Sequence, residues 1–266
     1  MAWITMSFDS EALHMPVMLD VLIPQGHGNY KTLYLLHGAG GDHSSWITKT
    51  RIADYVDNKD IAVVMPSGNN KCYINNVNGK DYYTFVAEEL IRKCELWFSL
   101  SRKKEDRFIA GMSMGAYGAV NAALENPDQY AAVFSYSGLM DMIERFDNPR
   151  GIDFEPVFGD REKLLTGNYD LMEKVHNYKE QFSVNVDNAT RFYLYCGLSD
   201  RILHMSDQMY MNMRDQGYYV KYQTAEGNHD WKYWDSCVEE TIKIILNQKS
   251  ENQSIVNQKD KMKVSI

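Results

Sequence analysis

The pentapeptide Gly111-Met112-Ser113-Met114-Gly115 constrains the fold of this chain more than any other feature. An apolar, strand-like segment precedes it, and a run of small residues between positions 116 and 123, typical of a helix packed on a sheet, follows it. This context favours a nucleophile elbow, a sharp turn that strains the serine backbone and exposes its hydroxyl. The positions two before and two after the serine must then be nearly free of side chain, and both are glycine. The alternative is a glycine-rich turn whose serine takes no part in catalysis.

A serine hydroxyl is a poor nucleophile unless a histidine takes its proton and a carboxylate orients that histidine. One known order along the chain is serine, then acid, then histidine. Asp200 and His229 follow Ser113 in that order, and each comes just after a strand-like segment. We therefore predict that the ends of neighbouring strands bring Ser113, Asp200 and His229 together.

The competing residues are less well placed. Two other histidines follow the serine, but His176 lies in an irregular region and His204 in a predicted helix. Among the acids, Asp207 also lies in a helix, whereas Asp230 and Asp235 come after the histidine. A loop histidine such as His229 is most often an ordinary surface residue, and only the joint placement of the three residues argues otherwise.

Apolar segments alternate with amphipathic segments along most of the chain, which predicts an α/β fold with a mostly parallel central sheet and helices on both faces. The first two strands form a hairpin-like antiparallel start. Residues 139–190 break the alternation, and we expect them to form a small excursion over the active-site edge of the sheet. Strands are predicted near residues 2–8, 17–23, 31–36, 61–65, 107–110, 130–136, 191–196 and 218–224, and helices near 50–58, 82–98, 202–216 and 231–246.

A glycine-rich loop, residues 37–41, leaves the end of the third predicted strand. Its N–H groups can converge on one point, as half of an oxyanion hole requires. A plain turn or a phosphate-binding loop is the alternative, but neither G-x-G-x-x-G nor G-K-[ST] is present. His37 and His43 lack the carboxylate–histidine spacing of a zinc site, so we predict no metal and interpret His37 as bracing the loop. Trp46 lines a pocket or packs in the core.

Composition restricts the partners and the location. The formal net charge of −8 does not favour binding to nucleic acid or to an anionic membrane. No apolar run reaches transmembrane length and no signal peptide is recognisable, so we predict a cytoplasmic protein. The four cysteines lack C-x-x-C spacing, which argues against zinc and disulfides. We expect one domain over residues 1–248 and a polar, mobile tail over 249–266, and leave homo-oligomerisation open.

Five motifs in the same order resemble the esterase D family, most closely its bacterial tributyrin-esterase branch. The resemblance extends from about residue 3 to residue 246. It implies an α/β-hydrolase fold, no cofactor and the hydrolysis of small acyl esters. The family also includes S-formylglutathione hydrolases, acetyl-xylan and feruloyl esterases, and a few acyltransferases. The motifs are residues 35–46 (LLHGAGGDHSSW), 83–90 (YTFVAEEL), 111–115 (GMSMG), 196–200 (CGLSD) and 227–231 (GNHDW).

The resemblance also implies a role for each matching residue. Ser113 is the nucleophile, His229 the base and Asp200 the acid that orients it. The N–H groups of Ala39 and Met114 form the oxyanion hole. Relatives often carry a bulkier residue at the position of Ala39, but the donor is a backbone group, so only the pocket width is affected.

These observations together predict a serine carboxylesterase that acts on a short-chain, small-molecule acyl ester. A thioesterase of the S-formylglutathione hydrolase type and an esterase of plant polysaccharides are the alternatives, and a non-catalytic binding protein is a different class. Uncharged aromatic residues flank the loops and suggest a mainly apolar acyl pocket. The predicted pocket residues are Gly38, Gly40, Trp46 and Trp231, with Tyr73 and Tyr117 nearby.

Overall fold

A computed structural model describes residues 1–26, 28–150, 153–181 and 189–263, with the backbone alone described at 178–181 and 248–263. Its strands form one open sheet in the order β1-β2-β4-β3-β5-β6-β7-β8. The strands are β1 (Ala2–Ser10), β2 (Met15–Ile23), β3 (Lys31–Leu36), β4 (Ile61–Pro66), β5 (Arg107–Met112), β6 (Ala132–Tyr136), β7 (Arg191–Gly197) and β8 (Val220–Ala225).

The direction of the strands follows the sequence prediction. β1 pairs antiparallel with β2, and β2 pairs antiparallel with β4, whereas all pairs from β4 to β8 are parallel. The central strands β4, β5 and β6 are buried almost throughout, as strands of a sheet covered on both faces must be. The predicted mostly parallel sheet with an antiparallel start is confirmed.

Alternate residues of the central strands point into two separate cores, one on each face of the sheet. In β4, Ala62 and Val64 belong to one core, and Ile61, Val63 and Met65 belong to the other. Helices cover both faces, as predicted. The helices are α1 (Ser45–Lys49), α2 (Ile52–Val56), α3 (Tyr82–Thr84), α4 (Leu90–Trp97), α5 (Met114–Glu125), α6 (Met142–Asp147), α7 (Glu155–Phe158), α8 (Arg161–Thr166), α9 (Leu171–Gln181), α10 (Leu203–Asp215) and α11 (Trp231–Lys263), and a π-helical turn, Phe85–Glu89, joins α3 to α4.

The excursion predicted at residues 139–190 consists, where it is described, of the short helices α6 to α9. Phe154, Val157 and Phe158 are buried and anchor it to the core beneath. The Tyr117 hydroxyl donates a hydrogen bond to the carbonyl of Tyr169 at 2.8 Å, which ties the excursion to α5. Residues 151–152 and 182–188 of the predicted excursion lie outside the described residues.

The last helix differs from its predicted length. The apolar periodicity ends near Leu246, and we expected the helix to end there too, but α11 continues to Lys263. Glutamine, lysine and glutamate are good helix formers, so a polar segment can extend a helix without an apolar face to signal it. The domain boundary at 248 and the mobility of the tail stay predictions. No helix among the described residues has both the length and the apolar character needed to cross a membrane.

Candidate active site

Ser113 lies at the sharp turn between β5 and α5. Its backbone has φ 53° and ψ −114°, a conformation that a residue with a side chain rarely adopts. The turn is held on both sides of the serine: its N–H donates to the carbonyl of Tyr136 at 2.9 Å, and its carbonyl accepts from the N–H of Leu139 at 3.1 Å. The surrounding sheet therefore imposes the strained geometry that the pentapeptide predicts.

The two glycines of the pentapeptide are required by close backbone contacts. A Cβ atom at Gly111 would lie 2.4 Å from the carbonyl carbon and oxygen of Gly115. A Cβ atom at Gly115 would lie 2.5 Å from the carbonyl oxygen of Leu36 and 2.6 Å from that of His37. Because every one of these obstructing atoms is backbone, no side-chain rotation can relieve the overlap.

We expect Gly115→Ala to lower the free energy of unfolding by about 3 kcal/mol, because the end of β3 would have to move away from α5. Gly79→Ala is the matched control. Gly79 has φ +76° but nothing within 4 Å of an added Cβ, so its substitution should cost only about 1 kcal/mol of conformational strain. Urea unfolding of both variants measures the difference. Equal destabilisation of the two would contradict the packing argument.

The structure brings Ser113, His229 and Asp200 into one chain of hydrogen bonds. His229 Nε2 lies 3.1 Å from Ser113 Oγ, and His229 Nδ1 lies 2.9 Å and 3.1 Å from the two Asp200 oxygens. Asp200 is in the turn after β7, and His229 is between β8 and α11. The side chain of Asp200 is fully buried, whereas that of His229 is 10% exposed.

The contact with Asp200 determines which ring nitrogen of neutral His229 carries the proton. Burial by itself would raise the pKa of Asp200, but hydrogen bonds from His229, Ser137 and the N–H of Ile202 hold that pKa below its ordinary value. The carboxylate is therefore ionised at neutral pH and accepts a hydrogen bond from the Nδ1–H group of His229. The lone pair of Nε2 then faces the Ser113 hydroxyl and can accept its proton.

Ser137, which the sequence analysis did not single out, also contacts the carboxylate of Asp200. Ser137 follows β6 and has a positive φ of 47°. Its hydroxyl accepts a hydrogen bond from the indole N–H of Trp234 at 3.1 Å while it bonds to Asp200. Its place just after a parallel strand was the one available signal, because sites in open α/β sheets form at those strand ends.

His37 holds the glycine-rich loop in place through both ring nitrogens. Nε2 accepts a hydrogen bond from the N–H of Gly68 at 2.8 Å, so Nδ1 carries the proton and donates it to the carbonyl of Gly38 at 2.7 Å. Burial lowers the pKa of His37, which keeps the ring neutral. The N–H of Gly40 donates to Asn70 Oδ1 at 2.7 Å, which fixes the tip of the loop. These contacts agree with a bracing role for His37.

The predicted oxyanion residues lie on the same cavity as Ser113 and His229. Ala39 and Met114 both line this cavity, which has a volume of about 1000 Å³. Met114 is the first residue of α5, so its N–H has no carbonyl one turn earlier within the helix. The helix dipole places a partial positive charge at this end of the helix, which makes the Met114 N–H a stronger donor to a developing oxyanion.

The predicted pocket residues are only partly brought together. Gly38, Gly40 and Trp231 line the cavity, but Trp46 does not. Trp46 is completely buried, donates its indole N–H to the carbonyl of Leu36 at 3.1 Å, and packs edge-on against Trp231 with ring centroids 5.2 Å apart. Placing Trp46 in the pocket was wrong, because a tryptophan whose N–H finds a carbonyl inside the protein packs well in a core.

The expected uncharged aromatic wall is found only in part, since Trp231, Trp234 and Phe154 line the cavity. Tyr73 and Tyr117 are buried beneath the site and are not part of the cavity lining. The wall also carries charged residues, several of them from the excursion. The sequence predicted that the excursion crosses the sheet edge but not which side chains it brings to the cavity. The cations that line the cavity are Lys49, Arg145, Arg150 and Arg201, and the anions are Glu144, Asp147 and Asp230.

Comparison with known proteins gives a consistent result. A family model with the description "Putative esterase" matches residues 10–241. The acetyl esterase of Caldicellulosiruptor saccharolyticus is 28% identical over 219 residues, which cover 79% of this chain and 81% of that protein. The S-formylglutathione hydrolase FrmB of Staphylococcus aureus superposes with a TM-score of 0.83 at 25% identity, covering 92% of this chain and 99% of that one.

The S. aureus fluorophosphonate-binding serine hydrolase FphF also has a similar structure. It superposes with a TM-score of 0.83 at 24% identity, covering 92% of this chain and 98% of that one. These superpositions confirm the α/β-hydrolase-type fold, since they extend over nearly the full length of both chains.

Proposed function

Because the chain belongs to the esterase family and is a carboxylic ester hydrolase, we propose that it is a serine carboxylesterase acting on short-chain acyl esters. Ser113, His229 and Asp200 are its catalytic residues in this proposal. The observation that carries it is the unbroken hydrogen-bond chain from the buried Asp200 through His229 to Ser113, which opens onto the cavity. This is the arrangement in which a histidine activates a serine hydroxyl.

The reaction begins when Ser113 Oγ attacks the ester carbonyl carbon and its proton passes to His229 Nε2. The carbonyl oxygen becomes an oxyanion that accepts hydrogen bonds from the N–H groups of Ala39 and Met114. The carbon–oxygen bond to the alcohol then breaks, and the alcohol leaves with the proton from His229. A water molecule attacks the acylated serine by the same steps, releases the acid and restores the Ser113 hydroxyl.

Two features of the site support this reaction. Ionised Asp200 stabilises the positive charge that His229 acquires in each step, and its burial makes that interaction stronger than it is in water. The loop that carries Ala39 is fixed by His37, so the oxyanion donors need little rearrangement when charge develops. Preorganised donors of this kind contribute about 3 kcal/mol each to transition-state stabilisation.

A thioesterase of the S-formylglutathione hydrolase type is the second candidate. The same residues would serve it, because a thioester carbonyl is attacked in the same way. The cationic residues in the cavity wall favour it over a wholly neutral ester, since the carboxylates of a glutathione conjugate need positive partners. Family membership and the intact hydrogen-bond chain both argue against a non-catalytic binding protein.

The rate of hydrolysis across 4-nitrophenyl esters from acetyl to octanoyl tests the short-chain proposal. We expect kcat/KM to fall by about tenfold across the series, because the methylenes of a longer acyl chain would lie against charged groups of the cavity wall and remove water from them without giving them a polar partner. S-formylglutathione and acetylated xylo-oligosaccharide, assayed in parallel, separate the alternatives. A kcat/KM that rises steadily with acyl length would instead indicate an extended apolar acyl channel.

A further inference from the structure

Three arginines line the cavity that contains Ser113 and His229, and the proposed reaction uses none of them. Arg145 lies on α6 and Arg150 follows that helix, so both belong to the excursion. Arg201 comes from a different part of the chain and directly follows Asp200. Two separate segments therefore bring positive charge to one place on a chain whose formal net charge is −8.

The nearby acids are already engaged elsewhere. Asp147 receives two hydrogen bonds from Arg161, at 2.7 Å and 2.9 Å. Glu144 lies 2.9 Å from His204 Nε2. Within the described parts of the chain, no carboxylate lies within 4.0 Å of the cationic groups of Arg145, Arg150 or Arg201. Arg145, Arg150 and Arg201 thus line the cavity without a carboxylate partner among the described residues.

Arg145 is the anchored member of the three. It is half-buried, donates an Nη1 hydrogen bond to the carbonyl of Asn148 at 2.7 Å, and lies 5.7 Å from the ring centroid of Phe154. Burial and the positive charges of Arg150 and Arg201 lower the pKa of Arg145. The three charges are therefore near enough to repel one another, and a bound anion would relieve that repulsion.

We propose that Arg145, Arg150 and Arg201 form a subsite for a carboxylate carried by the ester or thioester substrate, an inference that rests on the proposed function. A guanidinium binds a carboxylate through two parallel hydrogen bonds, which gives direction as well as attraction. A singly charged carboxylate fits better than a phosphate dianion, because Asp230, which has no basic partner among the described residues, shares the same wall and repels a doubly charged group more strongly.

The carboxylate can belong either to the acyl part or to the leaving group, and matched substrate pairs distinguish the two. For the leaving group, 4-acetoxybenzoate is compared with the neutral 4-acetoxybenzamide. For the acyl part, mono(4-nitrophenyl) adipate is compared with methyl 4-nitrophenyl adipate. In each pair the measured quantity is the ratio of kcat/KM for the charged substrate to kcat/KM for the neutral one.

In one of the two pairs, we expect this ratio to be about tenfold higher for the wild type than for the triple variant Arg145→Gln/Arg150→Gln/Arg201→Gln. Intrinsic reactivity cancels because the same substrates are compared in both proteins. The higher kcat/KM for the charged substrate should come mainly from a lower KM. The contact is remote from the reacting atoms, so it stabilises the bound substrate and the transition state equally. It should also shrink as the salt concentration rises from about 0.01 M to about 1 M.

Arg214→Gln is the matched control, because Arg214 is an exposed arginine on α10, is paired with Asp215 and is absent from the cavity lining. It should keep the wild-type ratio, and Arg201→Lys should keep part of it. Should the triple variant fail to fold, Arg201→Gln alone, at an exposed position, should still lower the ratio about threefold.

The outcomes separate this subsite from the proposed function. Hydrolysis of the neutral esters with a ratio in the wild type no higher than in the arginine variants would overturn the subsite and leave the esterase proposal intact. Absence of hydrolysis of all four substrates by folded wild-type protein would overturn both.

Discussion

Ser113→Ala is expected to lower kcat/KM for 4-nitrophenyl acetate by about five orders of magnitude relative to the wild type. The Ser113 hydroxyl lies 3.1 Å from His229 Nε2, so its loss removes the atom that, in the proposed mechanism, forms the covalent bond to the acyl group. The remaining oxyanion donors and the cavity would still bind ester and give a small residual rate. Progress curves with enzyme at micromolar concentration measure both proteins.

The fold should survive this substitution. Alanine loses no hydrogen bond that holds the turn, because the Ser113 backbone groups and not its hydroxyl bond to Tyr136 and Leu139. Ser199→Ala serves as the control, since Ser199 is exposed in the turn that also carries Asp200. A loss of less than tenfold in Ser113→Ala, with the wild type active, would mean that another group is the nucleophile.

Asp200→Asn is expected to reduce kcat by about 10⁴-fold, although the two side chains have nearly the same shape. The carboxylate accepts hydrogen bonds from both His229 Nδ1 and the Ile202 N–H. An amide offers one oxygen and one N–H₂ group, so if the N–H₂ group faces Nδ1, the histidine must place its proton on Nε2. That proton then points at the Ser113 hydroxyl, and the histidine can no longer act as its base.

Asp207→Asn is the appropriate control for this loss of charge. Asp207 lies on the helix after the same turn, and its carboxylate accepts the Tyr222 hydroxyl at 2.7 Å without contacting His229. It should retain activity within a factor of about three, since a single hydrogen bond on that side contributes little to the site. Comparable losses in the two variants would show that Asp200 has no special role in orienting the histidine.

The elbow and its partners were predictable because each depends on a local rule. The glycines at 111 and 115 report a backbone contact that leaves no space for a side chain, and a sequence records such a requirement directly. Asp200 and His229 were predictable from their order and from the parallel sheet, which places the ends of neighbouring strands at one edge.

The pocket was less predictable because it depends on how the excursion crosses that edge. Arg145 and Arg150 reach the cavity through α6 and the segment after it, and no periodic pattern specifies this path. Trp46 follows the glycine-rich loop of residues 37–41, and the sequence left open whether it lines the pocket or packs in the core. It packs in the core, where its indole N–H donates a hydrogen bond to a carbonyl group. The extension of α11 to Lys263 was not predictable from apolar periodicity, because the polar end of this helix has no apolar face.

Mass spectrometry of the trapped intermediate tests the central claim, that Ser113 becomes acylated during ester hydrolysis, most directly. The wild type is mixed with excess 4-nitrophenyl acetate, quenched in acid during turnover and digested. We expect one acetyl group on the peptide that contains Ser113, its disappearance when the substrate is exhausted, and no acetyl group on Ser113→Ala. Steady turnover with acetyl on another residue, or an equal label in Ser113→Ala, would contradict the account.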